Sequence, residues 1–141
     1  MTDRLLTGSC LCRAIRYEVP DAFVYAAYCH CSKCRRTTGA ANKPFAGIER
    51  EKFRPVAEAT DLLVHGDPAG THDLHCRHCG SIVYSVVREN LWVHVAMGTL
   101  ADTPSIRPDH HIMVGSKAAW EEIADGLPQY AEFADGPRID A

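Results

Sequence analysis

Cys76-Arg77-His78-Cys79-Gly80 runs directly into Ser81-Ile82-Val83-Tyr84-Ser85-Val86-Val87, and that order separates two architectures. A redox pair of the thioredoxin kind follows a strand and opens a helix, whose N-terminal dipole lowers the thiol pKa. Here β-branched and aromatic residues follow instead. The segment therefore reads as a metal knuckle feeding a strand, with Gly80 able to take the positive φ that such a tight turn often requires. That strand pairs most simply with residues 91–97, across the loop Arg88-Glu89-Asn90, as an antiparallel hairpin.

Working outward, Ile15, Tyr17 and Val19 alternate with Arg16 and Glu18, the pattern of a half-buried strand. Further strands are expected at 23–28, 44–48, 62–65 and 71–75. Helix is scarce. One short C-terminal helix is predicted over 117–125, with Ser116 as N-cap, Trp120, Ile123 and Ala124 on one face, and Gly126 and Pro128 as the stop. A shorter helical turn is expected over 32–38, ended by Gly39. The fold class is mainly β, built from antiparallel strands, and residues 1–141 read as a single zinc-binding domain whose tail from about residue 129 forms a packed strap.

A chain of 141 residues with 46% hydrophobic and 23% charged side chains has a globular profile. Its N-terminus stops at Leu5-Leu6, short of the apolar stretch of a signal peptide, so export is not expected and a cytoplasmic location is. No apolar run approaches the roughly 20 residues that span a bilayer, which argues against a membrane role. The formal charge of −3 grows more negative once thiols become thiolates and argues against general nucleic-acid binding.

Seven cysteines cannot all pair as disulfides, and a reducing compartment would keep them as thiols, so metal is the leading use for them. Cys10 and Cys12 lie two apart on one face of an extended segment, and with Cys76 and Cys79 they make a closed four-thiolate site. Cys29, Cys31 and Cys34 form a denser cluster with no fourth cysteine left. Three protein ligands and a labile fourth position are what distinguish catalytic from structural zinc. Two Zn²⁺ per chain are expected, the open site being the one more prone to lose its ion.

The competing reading closes the second site with one of the eight histidines, His30, His65, His72, His75, His78, His94, His110 or His111. His30, flanked by two ligands on an extended segment, should face away from them, while His75 and His78 flank the other site. Lys33, Arg35, Arg36 and Lys43 surround the open cluster and admit two uses. They offset the thiolate charge, or they dock an anionic substrate, since guanidinium matches carboxylate geometry.

The chain resembles the family of glutathione-dependent formaldehyde-activating enzymes and centromere protein V-like domains. The resemblance is carried by Gly8-Ser9-Cys10-Leu11-Cys12, by Cys29-His30-Cys31-Ser32-Lys33-Cys34-Arg35-Arg36 with Gly39-Ala40, and by Cys76-Arg77-His78-Cys79-Gly80-Ser81. A looser match continues through Gly98-Thr99-Leu100, His111-Ile112, Trp120 and Gly126-Leu127-Pro128. The resemblance implies a β-tent fold of small antiparallel sheets with zinc knuckles. It implies structural zinc on Cys10, Cys12, Cys76 and Cys79 and a second zinc on Cys29, Cys31 and Cys34. It also implies carbon-sulfur lyase activity, in which glutathione or a similar small thiol adds to formaldehyde or another small aldehyde.

On this expectation the open site holds the substrate thiol as thiolate, Arg35 and Arg36 bind a carboxylate of the thiol substrate, and His30 is a candidate for proton transfer or a structural residue. Three thiolates donate much charge and make zinc a poor Lewis acid, which favours thiol exchange over hydrolysis. Two other functions use the same residues: a non-catalytic zinc module for a protein partner, and a thiol or redox-sensing site that releases zinc on oxidation.

Overall fold

The computed structural model describes residues 3–140. In chain order the elements are β1 (Leu5–Ser9), β2 (Arg16–Pro20), β3 (Tyr25–Cys29), α1 (Ser32–Thr38), β4 (Lys43–Glu49), β5 (Arg54–Val56), β6 (Leu62–Gly66), β7 (His72–Cys76), β8 (Ile82–Val87), β9 (Trp92–Ala96) and β10 (His111–Ile112). Short 3-10 turns punctuate the loops. The protein is mainly β, with its strands in two sheets and one α-helix among the described residues. Among the described residues no helix is long and apolar enough to cross a membrane.

Backbone contacts divide the chain into two compact units, residues 1–25 with 46–106 and residues 26–45 with 107–141. In the first unit, β1 and β2 pair antiparallel with Leu6 opposite Val19, and β5 continues that sheet on β2. The alternation at Ile15, Tyr17 and Val19 buries all three side chains. Strands β6, β7, β8 and β9 follow as an antiparallel meander. The loop between β8 and β9 turns on Arg88, Glu89 and Asn90, all with positive φ. That conformation is uncommon outside glycine, and it is held by the Asn90 side-chain amide donating to the Ala69 carbonyl and by Arg88 stacked 4.6 Å over the Trp92 ring.

The core of this unit is one cluster containing Leu6, Ile15, Tyr17, Val19, Ile48, Phe53, Leu74, Val83, Tyr84, Val86, Val93 and Val95. Phe53 bridges Tyr17 and Tyr84, with ring centroids 5.2 and 4.6 Å apart. Cys10 and Cys76 belong to the same cluster. The first thiol set is thus rooted in the core.

In the second unit β10 pairs with β3 in parallel, His111 opposite Tyr28 and Ile112 opposite Cys29. This two-residue parallel pair is an exception within a mainly antiparallel architecture. The tail returns over β10: the His111 amide donates to Pro128, the Tyr130 amide to His111, and the Val114 amide to Tyr130. Helix α1 lies where a helical turn was expected, and Gly39 closes it at φ +67° with its amide on Arg35.

The predicted C-terminal helix over 117–125 is absent, and the single helix is α1 instead. Local competitors explain the difference. The Ser116 and Lys117 amides close a 3-10 turn onto Met113 and Val114, and the Lys117 ammonium donates to the Ala118 and Glu121 carbonyls that helical amides would need. Asp125 is drawn away to His111. Trp120 stays 74% exposed, so the apolar face has no cover, and so short a helix is marginal without packing.

Candidate metal centres

The four-thiolate site is made by two tight turns. After β1, Cys10 turns back so that its amide donates to Ile15 O and its sulfur accepts from the Ile15 amide at 3.3 Å. After β7, Gly80 adopts φ +80°, and its amide bonds Cys76 O while the Cys76 amide bonds Ser81 O. The positive φ expected at Gly80 is present. The His78 and Cys79 amides lie 3.4 and 3.5 Å from the Cys76 sulfur.

The four sulfurs of Cys10, Cys12, Cys76 and Cys79 lie within 4.8 Å of one another. Cys10 to Cys12 is 3.7 Å and Cys12 to Cys76 is 3.6 Å. Those spacings are far beyond the disulfide bond of about 2.05 Å. A tetrahedron with Zn–S bonds of about 2.3 Å has an edge of about 3.8 Å, so the sulfurs fit a zinc ion as they stand. The Ser81 hydroxyl, 3.3 Å from the Cys79 sulfur, pushes that thiol down to about 5. His75 and His78 take other partners: His75 bonds Gly80 O and His78 bonds Asp61.

The second group is Cys29, Cys31 and Cys34, with sulfurs also within 4.8 Å of one another. Strand β3 delivers Cys29, the β3–α1 junction delivers Cys31 as N-cap of α1, and the first turn of α1 brings Cys34 back, its amide donating to the Cys31 sulfur at 3.3 Å. A side-chain hydrogen bond from Cys34 holds the Cys29 thiol below its usual range, and the same bond pushes Cys34 up. The set already favours a thiolate.

Lys43 at the start of β4 is only 7% exposed, and its charge acts on Cys34. A buried ammonium needs an anion near it. Three thiolates with one Zn²⁺ would carry a net charge of about −1, opposite in sign to the Lys43 ammonium. Arg35 is half-buried, and its Nε is buried without a hydrogen-bond partner among the described residues, whereas Arg36 and Lys33 are exposed.

No histidine joins either group of sulfurs among the described residues. His30 is fully buried, and its Nε2 lies 2.8 Å from His111 Nδ1. His111 in turn places Nε2 2.8 Å from Asp125 Oδ2, and Tyr28 stacks on its ring at 4.8 Å. Burial, with the neighbouring His111 and Lys117, pushes the His30 imidazole down to about 4. The Asp125–His111–His30 chain was not anticipated from sequence, where 81 residues separate the two histidines. The only hint was His111-Ile112 among the looser family matches.

Residues 5–116 match the profile of the glutathione-dependent formaldehyde-activating enzyme family. A Halomonas elongata protein named "Putative glutathione-dependent formaldehyde-activating enzyme" is 27% identical over 139 aligned residues, covering 84% of this chain and 81% of that one. A crystal structure of a Rhodobacter sphaeroides protein is similar with a TM-score of 0.57 and 26% identity, over 70% of this chain and 91% of the other.

Proposed function

The chain belongs to the glutathione-dependent formaldehyde-activating enzyme family, and on that footing we propose that it is a carbon-sulfur lyase joining a small thiol, glutathione or a close analogue, to a small aldehyde such as formaldehyde. The observation that carries the reading is the pairing of a closed set of four thiols with an open set of three. A site meant only to brace the fold is closed by four protein ligands, whereas the open one leaves a coordination position for an exogenous sulfur.

Cys29, Cys31 and Cys34 would hold the second zinc, and Cys10, Cys12, Cys76 and Cys79 the structural one. On three thiolates a zinc ion would supply Lewis acidity at an open position, lowering the pKa of an incoming thiol. Lys43, buried beside Cys34, keeps the site close to neutral so that an anionic thiolate can approach. Arg35, half-buried and with its Nε unpaired, binds a carboxylate of the thiol substrate ahead of the more exposed Arg36.

In the reaction the thiolate sulfur attacks the aldehyde carbon, forming the C–S bond as the C=O π pair moves to oxygen. That oxygen takes up a proton equivalent to the one the thiol gave up, and the product is the S-hydroxyalkyl thioether, a hemithioacetal. Reversal of the same steps is the lyase direction. His30 is sealed from solvent, so its role is positional and not direct proton transfer to substrate.

The test is the exchange rate between formaldehyde, glutathione and S-hydroxymethylglutathione, followed by NMR magnetisation transfer. The parent protein should accelerate it above the spontaneous rate, and Cys31→Ala should abolish the acceleration while keeping the parental circular dichroism. Equal acceleration by both proteins would overturn the reading. No acceleration by a fully metallated parent would favour a non-catalytic zinc module.

A further inference from the structure

Strand β3 ends at Cys29 and the backbone is still extended at Cys31, with φ −65° and ψ 155°; the Cys29 and Cys31 sulfurs converge on the thiol cluster while the His30 ring between them turns to His111. Whatever fixes the His30 ring also fixes the rotation of the backbone that aims both sulfurs. We propose that His111 and Asp125 are positioning residues for the three-thiolate metal site, acting through His30 as a buried hydrogen-bonded brace. The inference rests on the metal reading of that cluster.

The brace is specified at every joint. The His30 amide donates to Ile112 O at 3.1 Å and the Tyr28 amide to His110 O at 3.0 Å, which locks β3 against β10 on both sides of His111. The two rings meet at 2.8 Å, and Asp125 receives the far nitrogen of His111 at 2.8 Å. Asp125 is itself fixed, since its other carboxylate oxygen accepts the Leu127 amide at 3.0 Å. Tyr28 covers His111 with planes 22° apart, and His111 is 4% exposed.

The carboxylate end sets the polarity of the chain. Asp125 accepts from His111 Nε2–H, and the other nitrogen of the same ring, Nδ1, meets His30 Nε2 at 2.8 Å, so the carboxylate fixes the rotation of His111 and through it that of His30. An apolar side chain would occupy the place of His30 without desolvating two ring nitrogens, one of which, Nδ1, is buried with no partner among the described residues. A leucine there would pack; only a ring nitrogen can be held to one rotation by a carboxylate two bonds away. Outer hydrogen bonds that orient ligands raise metal affinity by roughly 10- to 100-fold, and the same logic applies to a ligand pair held from the residue between them.

The experiment measures zinc transfer from the metal-loaded protein to a chromophoric chelator. The parent should release zinc in two phases, and the fast one is assigned to the open site by its loss in Cys31→Ala. Asp125→Ala and His111→Phe should speed that fast phase about 10-fold or more, leave the slow phase alone, and shift the cobalt d–d bands of the open site. Asp125→Asn, which retains an oxygen acceptor for His111, should fall between Asp125→Ala and the parent. A fast phase at the parental rate in both disruptive variants, with unchanged cobalt bands, would overturn the inference alone. Equal acceleration of both phases would also overturn it, marking the chain as general scaffolding. Absence of any fast phase in the parent would overturn the metal reading, and the inference with it.

Discussion

Replacing Gly8 by alanine would put a methyl group 2.2 Å from both the Tyr17 ring carbon Cζ and its hydroxyl, and 2.7 Å from the Thr99 carbonyl. Ordinary carbon contacts begin near 3.5 Å, so the ring must retreat by more than an ångström or the strand must shift. Neither move is free. Tyr17 is 1% exposed, packs on Phe53 at 5.2 Å, and bonds Thr99 Oγ1 at 2.7 Å, while the Thr99 carbonyl is backbone. Overpacking of this kind costs about 1–3 kcal/mol, and loss of the Tyr17–Thr99 bond adds about 1 kcal/mol.

Gly8→Ala should therefore lose about 2–4 kcal/mol against a total near 5–15 kcal/mol. Because Gly8 is two residues from Cys10, zinc retention at the four-thiolate site should weaken with it. Urea unfolding of the zinc-loaded protein by circular dichroism provides the assay, repeated in a Tyr17→Leu background where the methyl meets a smaller side chain. The penalty should shrink there. A Gly8→Ala midpoint within 0.5 kcal/mol of the parent, or an identical penalty in both backgrounds, would refute the reasoning.

Three further outcomes follow from the same geometry. Stripping zinc from the four-thiolate site, or Cys76→Ser, should abolish the cooperative thermal transition, because structural zinc contributes about 10–16 kcal/mol, comparable to the whole stability of a domain; an unchanged melting curve after chelation would contradict this. The Ser105 hydroxyl and amide hold the Asp21 carboxyl below its usual range, with Arg4 assisting, so folding is favoured by ionised Asp21 above about pH 4 and that contribution is lost as pH falls through its lowered pKa. Asp21→Asn should cost about 1 kcal/mol at pH 7 and progressively less in acid, as read from urea midpoints across pH; a penalty constant with pH would contradict it. Arg35→Ala should raise the KM for glutathione about 10-fold with little change in kcat, and Arg36→Ala should change it less than about 3-fold; the reverse order would exchange their roles.

Much of the fold could be read because its signals are local. The alternation at Ile15, Tyr17 and Val19, the β-branched run after Gly80 and the helix stop at Gly39 each report a nearby backbone requirement, and each sits as expected. The thiol groups were legible because short spacings set Cys10 with Cys12, Cys76 with Cys79, and Cys29, Cys31 and Cys34 together, and the two distant pairs are complementary halves of one four-sulfur set; the sulfurs of both groups lie together. Strands β1, β5 and β10 escaped notice: β5 and β10 have only three and two residues, and in β1 only Leu6 is a fully buried apolar side chain that would mark a pattern. The helix expected over 117–125 failed for the opposite reason. Its capping and patterning signals were sound, but the Lys117 ammonium occupies the nearby Ala118 and Glu121 carbonyls, and Asp125 takes His111, a partner that only tertiary structure supplies. The brace on His30 and the fit of Gly8 against Tyr17 are likewise contacts between distant residues, which no window of sequence contains.

The most direct test of the central claim is cobalt substitution of the anaerobically purified protein, followed by titration with glutathione in parent and Cys31→Ala. Two metal ions in the parent and one in the variant, with glutathione shifting the d–d bands of the parent alone, is the predicted result. One ion in both proteins, and spectra indifferent to glutathione, would contradict an open three-thiolate site that accepts a substrate thiol.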